Sequence, residues 1–286
     1  MDHDFWTDHF HQNARGRPEP DWQAPITLTE RQIKALRPSL AQFQLGDGGG
    51  PAALIAWNPA RFLRRPGIRP LVDAWFAEER EHSRLLGAAL ARFGGVPITG
   101  HWSFSVFLVL RRWGGMEAEL MILVLTEIAS TAYYRLLHRY GGDPALRQMC
   151  VLILCDEAGH LRFHSARMAA ALGGRAPSWR LQPMVCLLGY AAATMLWVNH
   201  GKALRHLGAG GREFYGEVRA ELRRFLGGLD GQPERPLLIA SAGALRSRPS
   251  RNCPTGPGRP VPNRPATGSR SHSAGETGFD RPASPP

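Results

Sequence analysis

Residues 121–164 have the sequence MILVLTEIASTAYYRLLHRYGGDPALRQMCVLILCDEAGHLRFH. Two long apolar stretches lie on either side of the turn residues Gly141-Gly142-Asp143-Pro144. Paired glycines end helices, and an Asp-Pro step places a capping side chain before a first-turn proline. The order predicts two helices joined by a short turn, the first ending near Tyr140 and the second beginning at Pro144.

The same cap and breaker signals recur along the rest of the chain. Four further helices are predicted, over about Thr29 to Phe43, Pro70 to Gly94, Ser178 to Gly208 and Arg212 to Leu226. Residues 103–110 are left open between a short strand, a loop and a helical turn. Because no series of alternating strands is found, the predicted fold class is all-α, a helical bundle.

Composition divides the chain into three parts. Residues 1–27 are polar and aromatic with three prolines, which predicts an extended N-terminal arm lying on the domain. Residues 28–230 carry the predicted helices and form the bundle. Residues 231–286 are rich in Pro, Gly and Arg and poor in large apolar residues, so we expect a disordered tail.

The formal charge of +11 over 286 residues suggests at first a nucleic-acid or anionic partner. However, residues 246–286 contain seven arginines and two acids and therefore contribute +5 of that charge. The remaining 245 residues carry only +6, which is mildly basic. The distribution does not favour nucleic-acid binding.

The first residues lack the basic and apolar regions of a secretory signal, and the four cysteines form no CxxC pair. We therefore expect a cytoplasmic protein with reduced thiols. The longest apolar run, Met184 to Val198, is 15 residues long. A membrane-spanning helix needs roughly 20. This run is predicted to be a buried bundle helix, and membrane contact is not expected.

Two Glu-x-x-His pairs are candidates for chemistry, Glu79/His82 and Glu157/His160. Residues three apart lie on one face of a helix, so a carboxylate and an imidazole at this spacing can bind one metal ion. Roughly 0.5 such pairs are expected by chance in a chain of this composition, so the motif alone is weak. Both pairs lie within apolar helices, where charged groups are costly unless they pair or bind metal.

Glu127 is the only charged residue of the apolar stretch 121–129 and lies 30 residues before Glu157. That separation suits a helical hairpin with Glu on one helix and Glu-x-x-His on the next. The same offset from Glu79 leads to position 49, and Asp47 is close to it. The chain thus offers two hairpins, each with a carboxylate and a Glu-x-x-His pair.

The stretches Ala77-Glu78-Glu79-Arg80-Glu81-His82 and Asp156-Glu157-Ala158-Gly159-His160 are similar to the motif helices of the ferritin-like di-iron carboxylate proteins. This family includes rubrerythrins, ferritins, ribonucleotide reductase small subunits and demethoxyubiquinone hydroxylases. The resemblance covers about residues 30–172. It implies a ferritin-like four-helix bundle with additional C-terminal helices.

The resemblance further implies a pair of metal ions, iron or alternatively manganese, and an oxidase or mono-oxygenase acting on O2 and a small molecule. It assigns Glu79, His82 and Asp47 to one ion and Glu127, Glu157 and His160 to the other. The departure from the family is at Asp47, which stands where the family has Glu and is followed by three glycines.

Two other functions stay open. One is a degenerate ferritin-like bundle without catalysis that acts by interaction, and the other is a peripheral membrane hydroxylase for a quinone-like substrate. A homodimer is one assembly that stays open. Three further side chains are interpreted as structural: His164 at the surface or core rim, Tyr134 in the core, and His200 packed over the bundle. Two alternatives stay open, His164 as a hydrogen-bond donor to the ligands or a substitute ligand, and Tyr134 as a redox-active tyrosine.

Overall fold

A computed structural model describes residues 1–48, 67–113, 115–173 and 180–229, without the side chains of residues 112 and 113. Within these ranges every regular element is a helix, so the all-α prediction is confirmed. The helices are α1 His3–Asn13, α2 Glu30–Asp47, α3 Ile68–Arg92, α4 Trp102–Trp113, α5 Gly115–Tyr140, α6 Pro144–Leu172, α7 Leu181–Leu207 and α8 Gly211–Leu229. The predicted disordered tail, 231–286, lies outside the described residues.

Two helix starts follow from the capping residues found in the sequence. The Thr29 hydroxyl accepts a hydrogen bond from the Gln32 backbone N–H, and the Gln32 side chain accepts one from the Thr29 N–H. At α6 the Asp143 carboxylate accepts the Leu146 N–H, one residue before the first-turn proline. Each cap satisfies a backbone donor that the first helical turn leaves unpaired.

The sequence predicted an extended N-terminal arm. This prediction is wrong for residues 3–13, which form helix α1. Asp2 caps this helix, and Trp6 and Phe10 lie one turn apart on its buried face. Both rings contact Phe163 of α6 at centroid distances of 5.6 and 5.8 Å. Tertiary packing of these rings stabilises a helix that is short and polar on its other faces.

Residues 103–110, for which the sequence allowed a strand, a loop or a helical turn, belong to helix α4. Its residues pack on α5, which immediately follows it in the chain. Every side chain from Ser103 to Leu110 is small, aromatic or aliphatic, so composition alone could not separate a strand from a helix.

The helices that carry the two predicted hairpins pack as pairs. α2 packs on α3 and α5 on α6, and α3 also contacts α6, which brings the pairs together. The core between them consists of fully buried leucines and aromatics, including Leu36, Leu85 and Tyr133. α7 and α8 pack on α5 and on each other. The architecture therefore faces both Glu-x-x-His helices, α3 and α6, toward one interior.

The apolar helix α7 is only partly buried, and the prediction that it is a buried helix is wrong. Only a narrow face, which includes Val185, Gly189 and Ala193, is buried against the bundle. The side chains of Leu187 and Val198 are 71% and 68% exposed. The reason is geometric: α7 is apolar around its whole circumference, but its neighbours cover only one side of it.

Two described helices, α5 and α7, are long and apolar enough to span a membrane by length and composition alone. They differ in packing, since 67% of the most apolar window of α5 is buried, but only 17% of that of α7. α5 is therefore a core helix of the bundle. α7 is an apolar helix on the surface of the bundle.

Candidate metal centre

The two motif helices bring their carboxylates and imidazoles together. The Glu79 carboxylate lies between two histidines, with Oε1 3.2 Å from His160 Nδ1 and Oε2 3.6 Å from His82 Nδ1. Glu157 Oε2 lies 3.8 Å from His160 Nδ1 on its own helix. The Glu79 carboxylate is therefore placed between the imidazole side chains of two histidines.

Asp47 and Glu127 complete the cluster. Potential ligand atoms form two groups, Asp47/Glu79/His82 and Glu79/Glu127/His160, each with all its atoms within 4.8 Å of one another. Glu79 belongs to both groups. α2 continues through Asp47 before it ends, so the glycines that follow do not keep this carboxylate from the cluster. Five of the six residues predicted as ligands belong to these groups, and the sixth, Glu157, lies beside His160.

Most of the cluster is removed from solvent. His82 and His160 have no exposed surface, and Glu127 and Glu157 are also buried, whereas Asp47 and Glu79 are partly exposed. Burying several ionised carboxylates is costly unless cations or hydrogen bonds compensate them. The buried carboxylates thus lower the free energy of unfolding, and a bound cation would offset this cost.

Four buried atoms of the cluster have no hydrogen-bond partner among the described residues. They are Nδ1 of His82, Nδ1 of His160, Oε2 of Glu127 and Oε2 of Glu157. Buried polar atoms are nearly always paired, so such a group calls for an explanation. Nitrogen and oxygen atoms with unused lone pairs fit divalent cations that prefer mixed oxygen and nitrogen ligands.

Each motif histidine is held by a carboxylate from the opposite motif, which the sequence analysis did not find. His160 Nε2 donates to Glu78 Oε2 at 3.0 Å, and His82 Nε2 donates to Asp156 Oδ2 at 2.9 Å. Because an ionised carboxylate only accepts, these contacts place a proton on Nε2, so Nδ1 is the nitrogen that can bind a cation once it has lost its own proton. Metal-binding histidines are typically oriented by such carboxylates.

A sequence signal for these carboxylates was present. Glu78 and Asp156 each stand immediately before the motif glutamate, so both motifs have an acidic residue directly before Glu-x-x-His. Arg17 also reaches Asp156 at 2.6 Å. Burial raises the pKa of Asp156, but the hydrogen bond and charge of His82 and the charge of Arg17 outweigh it and lower the pKa.

The protonation of the cluster follows from crowding in a buried volume. Burial raises the pKa of Glu127 to about 8 and that of Glu157 to about 7, and the charge of Glu79 adds to both increases. Burial and the charge of Glu79 also raise the pKa of Asp47. Burial acts the same way on Glu79, but the two histidines outweigh it and lower its pKa. Without a cation, the cluster therefore retains protons.

His164 lies in this cluster, and its predicted position at the surface or core rim is wrong. Its ring has no exposed surface, and Nε2 is 3.4 Å from Glu127 Oε2. Neither ring nitrogen has a hydrogen-bond partner among the described residues. Burial lowers the pKa of His164 well below its usual value, so the ring is neutral and can offer a lone pair. It follows His160 by one helical turn on the same face.

Tyr134 lies in the core, as the sequence indicated, and His200 is also buried, where the sequence placed it packed over the bundle. The Tyr134 ring is buried, and burial followed by the charges of Asp47 and Glu157 raises the pKa of its hydroxyl. The His200 ring is buried with Nδ1 2.9 Å from the Ser39 hydroxyl. Both residues therefore have structural roles in the packing of the bundle.

A cavity of about 210 Å³ adjoins the cluster. The carboxylates of Asp47, Glu79, Glu127 and Glu157 line one part of it. The rest is lined mainly by apolar and aromatic side chains, among them Trp75, from α2, α3, α4, α5 and α7. A mostly apolar cavity with a few polar groups at one end is typical of sites for small molecules.

The chain matches no protein-family model, no curated protein and no solved structure. The class defined by the structure is an all-helical protein whose interior holds a cluster of carboxylates and imidazoles beside a small cavity.

Proposed function

We propose that this protein is a ferritin-like di-iron carboxylate protein that uses O2 to oxidise a small molecule. The observation that carries the proposal is the reciprocal arrangement of the two motifs. Each histidine is held through Nε2 by the other motif, and each leaves an unpartnered Nδ1 beside the Glu79 carboxylate. An ion pair that only stabilises the fold would not require each histidine to be held by the opposite motif. A site for two ions requires two histidines oriented in this way.

The donor set supports iron or manganese. Carboxylate oxygens and imidazole nitrogens suit both ions, and the cluster includes no thiolate. In the proposed assignment, Asp47, Glu79 and His82 would hold one ion, and Glu79 would also contribute to the other ion with Glu127, Glu157 and His160. A pair of ferrous ions in such a site can supply two electrons to O2.

The chain's own groups have three roles in this proposal. The carboxylates of Glu127 and Glu157 release their protons as cations enter, because both have raised pKa values. Burial lowers the pKa values of His82 and His160, but the surrounding carboxylates outweigh it and raise them, so both rings also release a proton as cations enter. Their carboxylate partners keep both rings in orientation. The apolar walls of the cavity limit water around the reacting molecule.

The alternative of a degenerate bundle rested on the break after Asp47. Because α2 extends through Asp47 and delivers its carboxylate to the cluster, that reason for a lost ligand is weakened. We therefore favour a protein that binds metal. The substrate, O2 and the cytoplasmic location remain part of the proposal.

The test is metal analysis of protein loaded anaerobically with ferrous iron and then desalted. We expect about two irons per chain, and a Glu79→Gln variant that holds markedly less, since both ions share this carboxylate. The matched control is Glu81→Gln, two residues along α3, where the side chain is paired with Arg84 at the surface. Wild-type protein without iron or manganese would refute the proposal.

A further inference from the structure

Exposed apolar side chains are concentrated on two helices. Among the described residues, thirteen large apolar side chains are exposed, and eight of them belong to α4 and α7. We call these eight the α4/α7 surface: Trp102, Val106, Val109, Leu110, Met184, Leu187, Leu188 and Val198. Exposed apolar residues scattered singly are ordinary, but a concentration of this kind marks an interaction site.

The same two helices form part of the wall of the cavity beside the carboxylates. α4 contributes Ser103, Phe107 and Arg111, and α7 contributes Ala192, Met195, Leu196 and Asn199. Leu188 precedes Ala192 by one helical turn, so the exposed surface continues along α7 into the cavity lining. This continuity along α7 joins the exposed apolar side chains to the cavity wall.

The distribution of charge on α4 and α7 indicates the kind of partner that binds this surface. Neither α4 nor α7 contains an acidic residue, and the 19 residues from Leu181 to Asn199 carry no charge. Exposed cations follow directly, at Lys202 and at Arg205, whose guanidinium lies 5.2 Å from the Trp197 ring. An apolar face with cations beside it and no acids fits the surface of an anionic lipid bilayer.

We infer that the α4/α7 surface lies on a lipid bilayer and that an apolar, lipid-class substrate passes from the bilayer into the cavity. α7 lies in the membrane surface and does not cross it, because Val185, Gly189 and Ala193 pack against the bundle. The inference that this surface binds a bilayer rests only on the exposed residues of α4 and α7 and on the charges beside them. The role of the entering molecule as a substrate rests on the proposed function of the carboxylate cluster.

The surface is tested by flotation of iron-loaded protein with vesicles of phosphatidylcholine containing phosphatidylglycerol. We expect wild-type protein to float, and the Leu187→Glu/Val198→Glu variant to bind at least about tenfold more weakly. The matched control is Val96→Glu, since Val96 is 75% exposed and lies outside both helices. Added salt should weaken binding, because cations contribute to it.

The outcomes separate this inference from its competitors. Wild-type protein that binds iron but does not float would overturn the membrane surface and leave the metal proposal intact. Equal loss of flotation in the Val96→Glu control would also overturn it. If sedimentation shows a dimer that the double variant dissociates, and neither form floats, the surface joins two copies and the inference is wrong.

The cavity is tested separately with a fluorescent long-chain fatty acid as the probe. Ala192→Trp places a large side chain in the cavity wall and leaves the eight exposed residues unchanged. We expect this variant to float as the wild type does but to bind the probe at least about tenfold more weakly. Unchanged probe affinity would exclude the cavity as the binding place for apolar chains.

Discussion

Asp156→Asn is the most informative substitution for the proposed metal centre. In the wild type, Asp156 accepts the His82 Nε2 proton at 2.9 Å and is itself held by Arg17 at 2.6 Å. An amide retains the shape of the carboxylate and can still accept one hydrogen bond, but it carries no charge. The change therefore weakens the orientation and basicity of His82 without removing a ligand.

The expected magnitude follows from similar carboxylate–histidine pairs. Loss of such a partner lowers metal affinity by about 10- to 100-fold. This range corresponds to about 1.4–2.7 kcal/mol of binding free energy. The ion beside Asp47 and His82 should be weakened most, because His160 is held by Glu78 and not by Asp156. Glu78→Gln should produce the converse result and weaken the ion beside His160.

The assay is anaerobic titration with cobalt(II), whose absorption reports each binding step, followed by metal analysis. Arg17→Gln is the control, since it removes the arginine but leaves the bond between Asp156 and His82. It should change affinity less than Asp156→Asn does. Equal weakening of both ions by Asp156→Asn, or unchanged binding in a folded variant, would refute the assignment of this carboxylate to one histidine.

Three further changes have defined outcomes. His164→Asn should weaken the ion near Glu127 by about tenfold or more, seen in the same cobalt titration, because it removes a buried imidazole with an unused lone pair. Burial lowers the pKa of His200 to about 3, so this ring favours folding above its unfolded pKa and loses that contribution as pH falls. Between pH 7 and 5 the loss is about 2 kcal/mol in urea denaturation, and His200→Asn should remove it. Gly189→Val should lower stability by about 1–3 kcal/mol, since even a Cβ there lies 2.7 Å from a Leu222 methyl.

The results that would contradict these three predictions are specific. The first is contradicted if His164→Asn binds cobalt as tightly as the wild type. The second is contradicted if His200→Asn leaves the pH dependence of stability unchanged. The third is contradicted if Gly189→Val is as stable as its control. That control is Gly216→Val on α8, where an added Cβ has no heavy atom within 4 Å.

The sequence contained enough information for the helices with strong caps. The Thr29/Gln32 pair and the Asp143-Pro144 step are local signals, and α2 and α6 begin where they predict. α1 was missed because its stability depends on Trp6 and Phe10 packing against another helix. Such long-range contacts leave no periodic signal in a short polar segment.

In the candidate site, too, contacts within one helix could be predicted from the sequence, whereas contacts between helices could not. Glu79 and Glu157 and their histidines could be found because their spacing is fixed within one helix. Glu78 could not be assigned a partner, since its contact with His160 spans 82 residues of chain. The position of α7 was also beyond sequence reasoning, because an apolar helix has the same composition whether a neighbour or lipid covers it.

The exchange of hydrogen bonds between α3 and α6 also affects how the two ions would bind. α3 carries both a ligand for one ion, His82, and the carboxylate that holds His160, a ligand for the other. An ion that fixes α3 in place therefore organises the second position before it is filled, and α6 acts in the same way through Asp156. We expect each ion to raise the affinity for the other, so that the second ion binds more tightly than the first.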